Sequence, residues 1–404
     1  MSHSHGHSHS HEGGHSHSHG SHSHQLPAPP PPYPSAHDDA SSSSSSSDSS
    51  MDHDSRSSDK EDLHKATVVA TFDSYLRQAL SANQRRRGDF YSLPAEHRAL
   101  LPGYSDLLNM VDERLVVNEV LVKAMVEQNV FPPSEDAALR AKAPSEAEHE
   151  RLRSTLRQCV RDWSEIGKEE RDTAYRPILD ALEEQYKDLD LDQRAEIKIL
   201  VPGAGLARLA WEVVRMGFST QANEFSLYML IASSLLLNNI SHPNQFTLHP
   251  YLHSFSNFRN STDLLAPVQI PDVLPSDVGE TRGDFSFAAG DFLEVYRDEH
   301  GTYSTILTCF FLDTARNIVS YLLLIHQLLK EGGTWINLGP TLWHFENTEG
   351  ASSVELTMEE VKRLAERVGF RIENEKEVQT CYTSNPRSLL RHEYTAAFWT
   401  ATKL

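Results

Sequence analysis

Apolar side chains recur at every third or fourth position from about residue 63, and no strand-like alternation interrupts them before residue 190. This period is typical of amphipathic helices. Segments containing proline at 130–133 and 143–145 separate the periodic stretches. The pattern therefore predicts an all-helical region over 63–190, with helices at 66–82, 95–101, 105–128, 147–162 and 168–186.

After residue 190 the apolar residues form short continuous runs, each followed by a helical pattern. Such runs are typical of parallel strands that are buried on both faces. They predict strands at 198–202, 219–223, 285–288, 304–312 and 334–338, with helices at 206–216, 226–238, 314–330 and 357–368. Two further runs, 371–378 and 393–400, predict antiparallel edge strands. We therefore expect an α/β fold, a Rossmann-like domain with a mostly parallel seven-stranded sheet over 191–404.

The pattern lapses over 240–283, which is rich in Asn, Ser, Pro and Asp. A connection of this length without regular structure inside a compact fold is usually functional. We interpret 240–283 as an insertion in the sheet domain.

The first 62 residues hold His-Ser repeats, a proline run at 29–32 and a serine run at 41–47, with almost no apolar residues. Such a segment cannot bury enough surface to offset the entropy lost on ordering, so a disordered tail is expected. Its histidines are competent metal ligands, but a flexible solvated extension is the favoured interpretation. No apolar run suits a secretory signal or a membrane span.

The 404-residue chain carries a net charge of −20, and 48 acidic against 35 basic residues remain beyond the tail. An acidic body argues against nucleic acid as the main partner. The basic cluster at 85–87 is interpreted as a solvated helix face. Cys159, Cys309 and Cys381 show no metal or disulfide spacing, which fits a reducing compartment. We expect a cytoplasmic protein; the nucleus as a second location and a homodimer stay open.

The glycine turn after the first strand is the strongest sign of a ligand. Gly203 and Gly205 end an apolar run and lead into a helical pattern, and Glu224 follows nineteen residues after Gly205, where the second strand ends. An acidic residue placed there can accept ribose hydroxyls. A dinucleotide prefers a third small residue, but Arg208 stands in that place, so S-adenosylmethionine is favoured over a dinucleotide. A lone G-x-G also occurs in turns that bind nothing.

Polar residues also follow the other predicted strands, and ligands bind outside the carboxyl ends of parallel strands. Asp291 suits the exocyclic amine of an adenine, with a helix N-cap as the alternative. Asp313 and His344 are expected to face one pocket, although Asp313 could be an N-cap and His344 a structural histidine. Arg161 shares a helix face with Gln158; spacing alone favours a surface ion pair of Arg161 with Asp162 or Glu165. Tyr394, near the start of the last strand, is interpreted from the pattern as a packing residue.

Seven ordered segments together resemble the carnosine N-methyltransferase family: 161–164 (RDWS), 199–210 (ILVPGAGLARLA), 223–224 (NE), 289–292 (AGDF), 308–315 (TCFFLDTA), 335–340 (WINLGP) and 344–347 (HFEN). The likeness covers about 65–402 and leaves out the tail. It implies methyl transfer from S-adenosyl-L-methionine to the imidazole of carnosine, a small dipeptide, giving anserine and S-adenosylhomocysteine. It also implies a class I methyltransferase fold and no metal.

The resemblance assigns donor contacts to Gln158, Arg161, Gly203, Gly205, Glu224, Asp291 and Phe292. It assigns the dipeptide pocket to Phe310, Asp313, His344, Tyr382 and Tyr394, of which Asp313, His344 and Tyr394 are the implied catalytic residues. One departure is Ala207, where the family has glycine; alanine is tolerable if this residue is helical. The insertion keeps the family's 255–257 and 271–273 and is a candidate lid.

The chemistry suits these residue types. An imidazole is largely neutral at pH 7, so it needs the correct tautomer more than a strong base. Asp313, or the acceptor nitrogen of His344, can take the hydrogen from one ring nitrogen and leave the other free. Two alternatives stay open: a methyltransferase for another histidine-containing peptide or protein, and an inactive methyltransferase fold that only binds.

Overall fold

The computed structural model describes residues 50–348 and 350–404, and for 50–57 only the course of the backbone. Residues 1–49, including the His-Ser repeats, lie outside the described residues. The first helix begins at Ser50, so 50–62 is helical although the sequence predicted disorder as far as residue 62.

The region before the sheet is helical, as the periodicity predicts. Ser145 and Glu148 form a capping box at the start of the sixth helix. Three of the helices have only five or six residues; the sequence predicted the one at 95–99 and missed the two at 135–140 and 191–195. The helices are α1 Ser50–Asp73, α2 Tyr75–Ser92, α3 Ala95–Ala99, α4 Tyr104–Glu127, α5 Glu135–Arg140, α6 Glu146–Trp163, α7 Lys168–Gln185 and α8 Leu191–Ala195.

The rest of the chain builds the sheet and the helices that cover it. Its elements are β1 Lys198–Pro202, α9 Arg208–Arg215, β2 Ser219–Glu224, α10 Leu227–Asn238, β3 Phe246–Leu248, α11 Ser261–Leu264, β4 Val268–Ile270, β5 Phe285–Ala289, α12 Phe292–Val295, β6 Tyr303–Cys309, α13 Ile318–Leu328, β7 Leu329–Gly339, α14 Met358–Val368, β8 Phe370–Thr380 and β9 Tyr394–Lys403.

The main sheet has seven strands in the order β5-β2-β1-β6-β7-β9-β8. The first five of these run parallel, β9 is antiparallel to β7, and β8 is antiparallel to β9. The strand order reverses between β1 and β6, and such a switch point opens a crevice at the carboxyl ends of the strands. This is the class I methyltransferase sheet, and the predicted fold class is confirmed.

Three apolar clusters form the core. One joins α7 and α9 to one face of the sheet, and a second joins α13 and α14 to the other face. The third links the N-terminal helices to α9, α10 and the insertion, with Trp163 of α6 edge-on to Trp211 of α9 at 5.7 Å. The helical region and the sheet consequently belong to one compact unit.

The insertion 240–283 contains regular structure, so the expectation of a structureless connection is wrong. β3 and β4 pair antiparallel, and α11 lies between them in sequence. Asp272 follows β4, and its side chain is 6% exposed; it contacts Arg171 of α7 at 2.6 Å and Arg208 of α9 at 2.7 Å. Arg208 therefore ties the glycine turn to the insertion.

The end of α13 also differs from the prediction. The sequence predicts a helix as far as residue 330, but the helix ends at Leu328, and Gly332 and Gly333, which follow the predicted end, lie within β7. The pairing of β6 with β7 shifts register between Tyr303 and Thr305, and Gly332 has φ of 70°. The glycines form a bulge in the strand.

Candidate active site

In the turn from β1 to α9, the backbone lies close to a neighbouring aromatic side chain. Gly203 and Gly205 have φ of 64° and 56°. A Cβ at Gly203 would lie 2.5 Å from the ring of Phe311. Ala207 has φ of 64°, left-handed rather than helical, so the condition under which alanine was expected to be tolerable does not hold.

Glu224 closes this turn from the end of β2. Its Oε2 accepts the Gly205 N–H at 2.8 Å, and its Oε1 accepts the N–H groups of Phe225 and Ser226 at 2.9 and 2.7 Å. Burial raises the pKa of Glu224, and these three donors counter the rise. A carboxylate offers about four acceptor sites. The turn uses three of them, which leaves about one for a ligand hydroxyl.

A cavity of about 510 Å³ lies outside these strand ends and brings together Gly203, Glu224, Asp291, Phe292 and His344. One wall is aromatic: Phe311 and Tyr321 stack at 4.9 Å, and Phe292 meets both edge-on at 5.4 Å. The sequence singled out only Phe292 of these three rings. Flat apolar walls with a few polar groups suit a heteroaromatic ligand.

Asp291 occupies the N-cap position of α12, as the alternative interpretation holds. Its Oδ1 accepts the Leu293 N–H at 2.8 Å. Capping uses this one oxygen, and the residue lines the cavity as well.

Arg161 lies at the end of α6 and is only 5% exposed, so the interpretation as a surface ion pair is wrong. Its guanidinium contacts Asp162 at 3.0 Å and the Tyr175 hydroxyl at 2.9 Å. It lies between the rings of Tyr175 and Tyr382, at 4.9 and 4.6 Å from their centroids. A small recess beside Gly203 and Gly205 exposes Arg161 to the glycine turn.

Three aromatic rings form a group beside this arginine. Phe310 lies 4.8 Å from Tyr382 and 5.6 Å from Tyr394 between centroids. Gln158 donates to the Tyr382 hydroxyl at 2.9 Å. Burial and the nearby Asp313 carboxyl raise the pKa of Tyr394. The structure thus brings these predicted residues together with Asp313.

Asp313 is fully buried in a 3-10 turn, Leu312–Thr314, just after β6. It caps no helix: α13 begins at Ile318 and is capped by Asn317. Its Oδ2 accepts the Leu342 N–H at 3.1 Å, whereas Oδ1 has no hydrogen-bond partner within the part of the chain that the structure describes. Burial raises the pKa of Asp313 to about 7.

His344 follows β7 and is joined to the Asp313 turn, since its backbone N–H donates to the Asp313 carbonyl at 3.0 Å. The side chain is buried, and burial lowers its pKa to about 4. His344 is therefore neutral at physiological pH.

Backbone strain concentrates around this site. Apart from asparagines and glycines, the described residues with positive φ are Ala207 (64°), Phe310 (52°) and Thr383 (49°). Each costs about 1–3 kcal/mol and persists only where its surroundings impose it. Ala207 lies in the glycine turn, Phe310 belongs to the aromatic group, and Thr383 directly follows Tyr382 of that group.

Within residues 50–348 and 350–404, no cluster of three His, Cys, Asp or Glu side chains could hold a metal ion. In the same part of the chain, no helix is both long and apolar enough to span a bilayer. The predicted cytoplasmic location, the homodimer and the exclusion of nucleic acid stay predictions.

Residues 139–404 match the family model for carnosine N-methyltransferase. The chain is 38% identical to the mouse carnosine N-methyltransferase, over 84% of this chain and 86% of the mouse protein. It is 37% identical to that of Schizosaccharomyces pombe, over 82% and 93%. Among solved structures, a SAM-dependent methyltransferase from Methanosarcina mazei is 12% identical with a TM-score of 0.36, covering 55% of this chain and 96% of that one.

Proposed function

Since the chain belongs to the carnosine N-methyltransferase family, we propose that it transfers a methyl group from S-adenosylmethionine to the imidazole of carnosine. The products are anserine and S-adenosylhomocysteine, and the substrate is a small molecule. The observation that best supports this chemistry is Asp313, a buried carboxyl with one oxygen that accepts no hydrogen bond from the described residues, near Tyr394 of the aromatic group.

The cavity at the strand ends fits the methyl donor. Gly203 leaves space that a Cβ would fill, Glu224 keeps about one acceptor site for a ribose hydroxyl, and Phe292 supports the aromatic wall for the adenine. Arg161, in the adjoining recess, supplies a cation for the methionyl carboxylate. When bound, S-adenosylmethionine supplies an electrophilic methyl group on a sulfonium.

The aromatic group holds the acceptor. Phe310, Tyr382 and Tyr394 present flat faces and edges that suit an imidazole, and Tyr394 adds a hydroxyl. His344 stays neutral and adds no charge that would repel an imidazolium. These residues fix the ring so that one nitrogen faces the methyl group, which is the main demand of an in-line displacement.

Asp313 selects the tautomer and removes the proton. Its free oxygen accepts the N–H of one ring nitrogen, which leaves the lone pair on the other. As the new N–C bond forms and the C–S bond breaks, the ring becomes an imidazolium, which the carboxylate stabilises. The ring proton then passes to Asp313, and neutral product remains. A pKa of about 7 suits a base that works near neutral pH.

The test is incubation of the full chain with methyl-labelled S-adenosylmethionine and a panel of carnosine, free histidine and a histidine-containing peptide, followed by mass spectrometry. Label in carnosine supports the proposal. Label only in the peptide would favour a peptide or protein substrate. Donor binding without transfer to any of the three would favour an inactive fold.

A further inference from the structure

The segment 381–393 joins β8 to β9 and carries the acceptor tyrosines at or beside its two ends. Tyr382 is the second residue after β8, and Tyr394 is the first residue of β9. The turn after Tyr382 is held from outside the sheet. Glu170 of α7 accepts the Thr383 N–H at 2.6 Å on Oε1 and the Ser384 N–H at 2.9 Å on Oε2.

This turn is not one that its own residues favour. Thr383 has φ of 49°, a left-handed conformation that a β-branched residue rarely adopts. Without an outside constraint the backbone would relax toward commoner conformations and carry Tyr382 with it. The two hydrogen bonds to Glu170 supply such a constraint.

Glu170 also contacts the cation beneath Tyr382. Its Oε1 lies 3.2 Å from Arg161 Nε. The contact is an ion pair and not a hydrogen bond, because Arg161 Nε has no hydrogen-bond partner among the described residues. The Tyr382 ring lies over this guanidinium at 4.6 Å. The Glu170 carboxylate therefore holds both the backbone after Tyr382 and the Arg161 guanidinium under the Tyr382 ring.

We propose that Glu170 is a positioning residue of the acceptor pocket, which sets the place of Tyr382 through the Thr383 and Ser384 amides and through Arg161. The inference rests on the proposed function and deepens it. Glu170 lies in α7, in a different element from the aromatic group, and no motif in the sequence marks it. Its role is to hold one wall of the pocket for the imidazole while the donor cavity stays unchanged.

The test is Glu170→Gln in the full chain. The amide keeps the size of the side chain, but its NH2 group faces the backbone N–H of Thr383 or of Ser384 and cannot accept from it. The amide also offers no negative charge to Arg161. We expect kcat/KM for carnosine to fall about ten- to a hundredfold, mainly through KM, as for a pocket wall misplaced by about 1 Å. The Kd for S-adenosylhomocysteine should not change, since Arg161 keeps Asp162 and Tyr175. The exposed neighbour variant Glu169→Gln is the matched control and should behave as wild type in both assays.

A double-mutant cycle with Tyr382→Ala separates positioning from general destabilisation. If Glu170 acts through Tyr382, adding Glu170→Gln to Tyr382→Ala should change kcat/KM little further. If Glu170→Gln lowered kcat/KM by the same factor in Tyr382→Ala as in wild type, the two residues would act independently, and the proposal would be wrong. Wild-type kcat/KM in Glu170→Gln would overturn it too, as would an equal loss of donor affinity.

Thr383→Gly covers the case in which Glu170→Gln does not fold. Glycine relieves the strain at this positive φ but increases the number of backbone conformations that the turn can adopt. KM for carnosine should rise while the thermal midpoint does not fall, and an unchanged KM would refute the proposal. If wild type itself transfers no methyl to carnosine, the proposed function has failed, and this failure is seen before any variant is compared.

Discussion

Asp313→Asn should make the protein more resistant to unfolding at alkaline pH while it slows methyl transfer. Asp313 is fully buried. The Leu342 N–H donates a hydrogen bond to its carboxyl group, and this bond offsets only part of the effect of burial on the pKa. Burial favours the protonated form and raises the pKa to about 7. The unfolded chain returns this group to an ordinary pKa of about 3.9.

The pH dependence of stability that Asp313 causes has the opposite sign to that of an aspartate that is ion-paired in the folded state. Between about pH 4 and pH 7 the folded state keeps a proton that the unfolded state has lost, so stability falls as pH rises through this window. From pH 5 to pH 8 the two pKa values give a loss of about 2–3 kcal/mol from this one group. Asparagine does not titrate, so the variant should not show this loss.

Urea unfolding at pH 5, 6, 7 and 8 measures the effect, with the exposed Asp188→Asn as a control that should follow wild type. The free energies of Asp313→Asn and wild type should diverge with pH in favour of the variant. At pH 7.5 the variant should bind S-adenosylhomocysteine normally but lose about a hundredfold in kcat/KM for carnosine, as when a preorganised partner of the transition state is removed. Parallel stability curves together with near-wild-type turnover would refute the reasoning.

Three further changes test other parts of the structure. Glu224→Gln removes the charge that holds the Gly205 amide and that we assign to the donor ribose, so calorimetry should show S-adenosylhomocysteine binding weaker by about 1.5–3 kcal/mol; unchanged affinity would contradict the donor assignment. Asp272→Ala removes the carboxylate that pairs with buried Arg171 and one of the two that pair with buried Arg208, which keeps Glu212, and should lower the free energy of unfolding by about 3 kcal/mol; a loss near zero in denaturant unfolding would show that the insertion is anchored elsewhere. Deleting residues 1–49 should leave kcat/KM for carnosine unchanged in steady-state assays, because the described site contacts lie beyond Ser50; a large loss would give the tail a part in catalysis.

The sheet and the glycine turn could be predicted because they depend on local patterns. Continuous apolar runs such as 198–202 mark buried parallel strands, and polar residues after them lie at one edge by topology alone. Asp313 and His344 were placed near each other on this ground, and a backbone hydrogen bond does join them.

What the sequence missed depends on contacts between distant segments. Sequence spacing pairs Arg161 only with nearby residues such as Asp162. In the structure the rings of Tyr175 and Tyr382 cover its guanidinium, and Tyr382 is more than two hundred positions away in the sequence. Strands of three residues, as in β3 and β4, are too short for a period to appear. The conformation of Ala207 is imposed by the turn and has no sign in its own residue type.

The most direct test of the central claim is methyl transfer by wild type and Asp313→Asn, compared at equal donor saturation with carnosine as the acceptor. Labelled S-adenosylmethionine and mass spectrometry of the small-molecule fraction report the product. We predict that wild type converts carnosine to a dipeptide with one added methyl group on the imidazole, and that folded, donor-binding Asp313→Asn forms it about a hundredfold more slowly. No label in carnosine with wild type, or equal rates for the two proteins, would contradict the account.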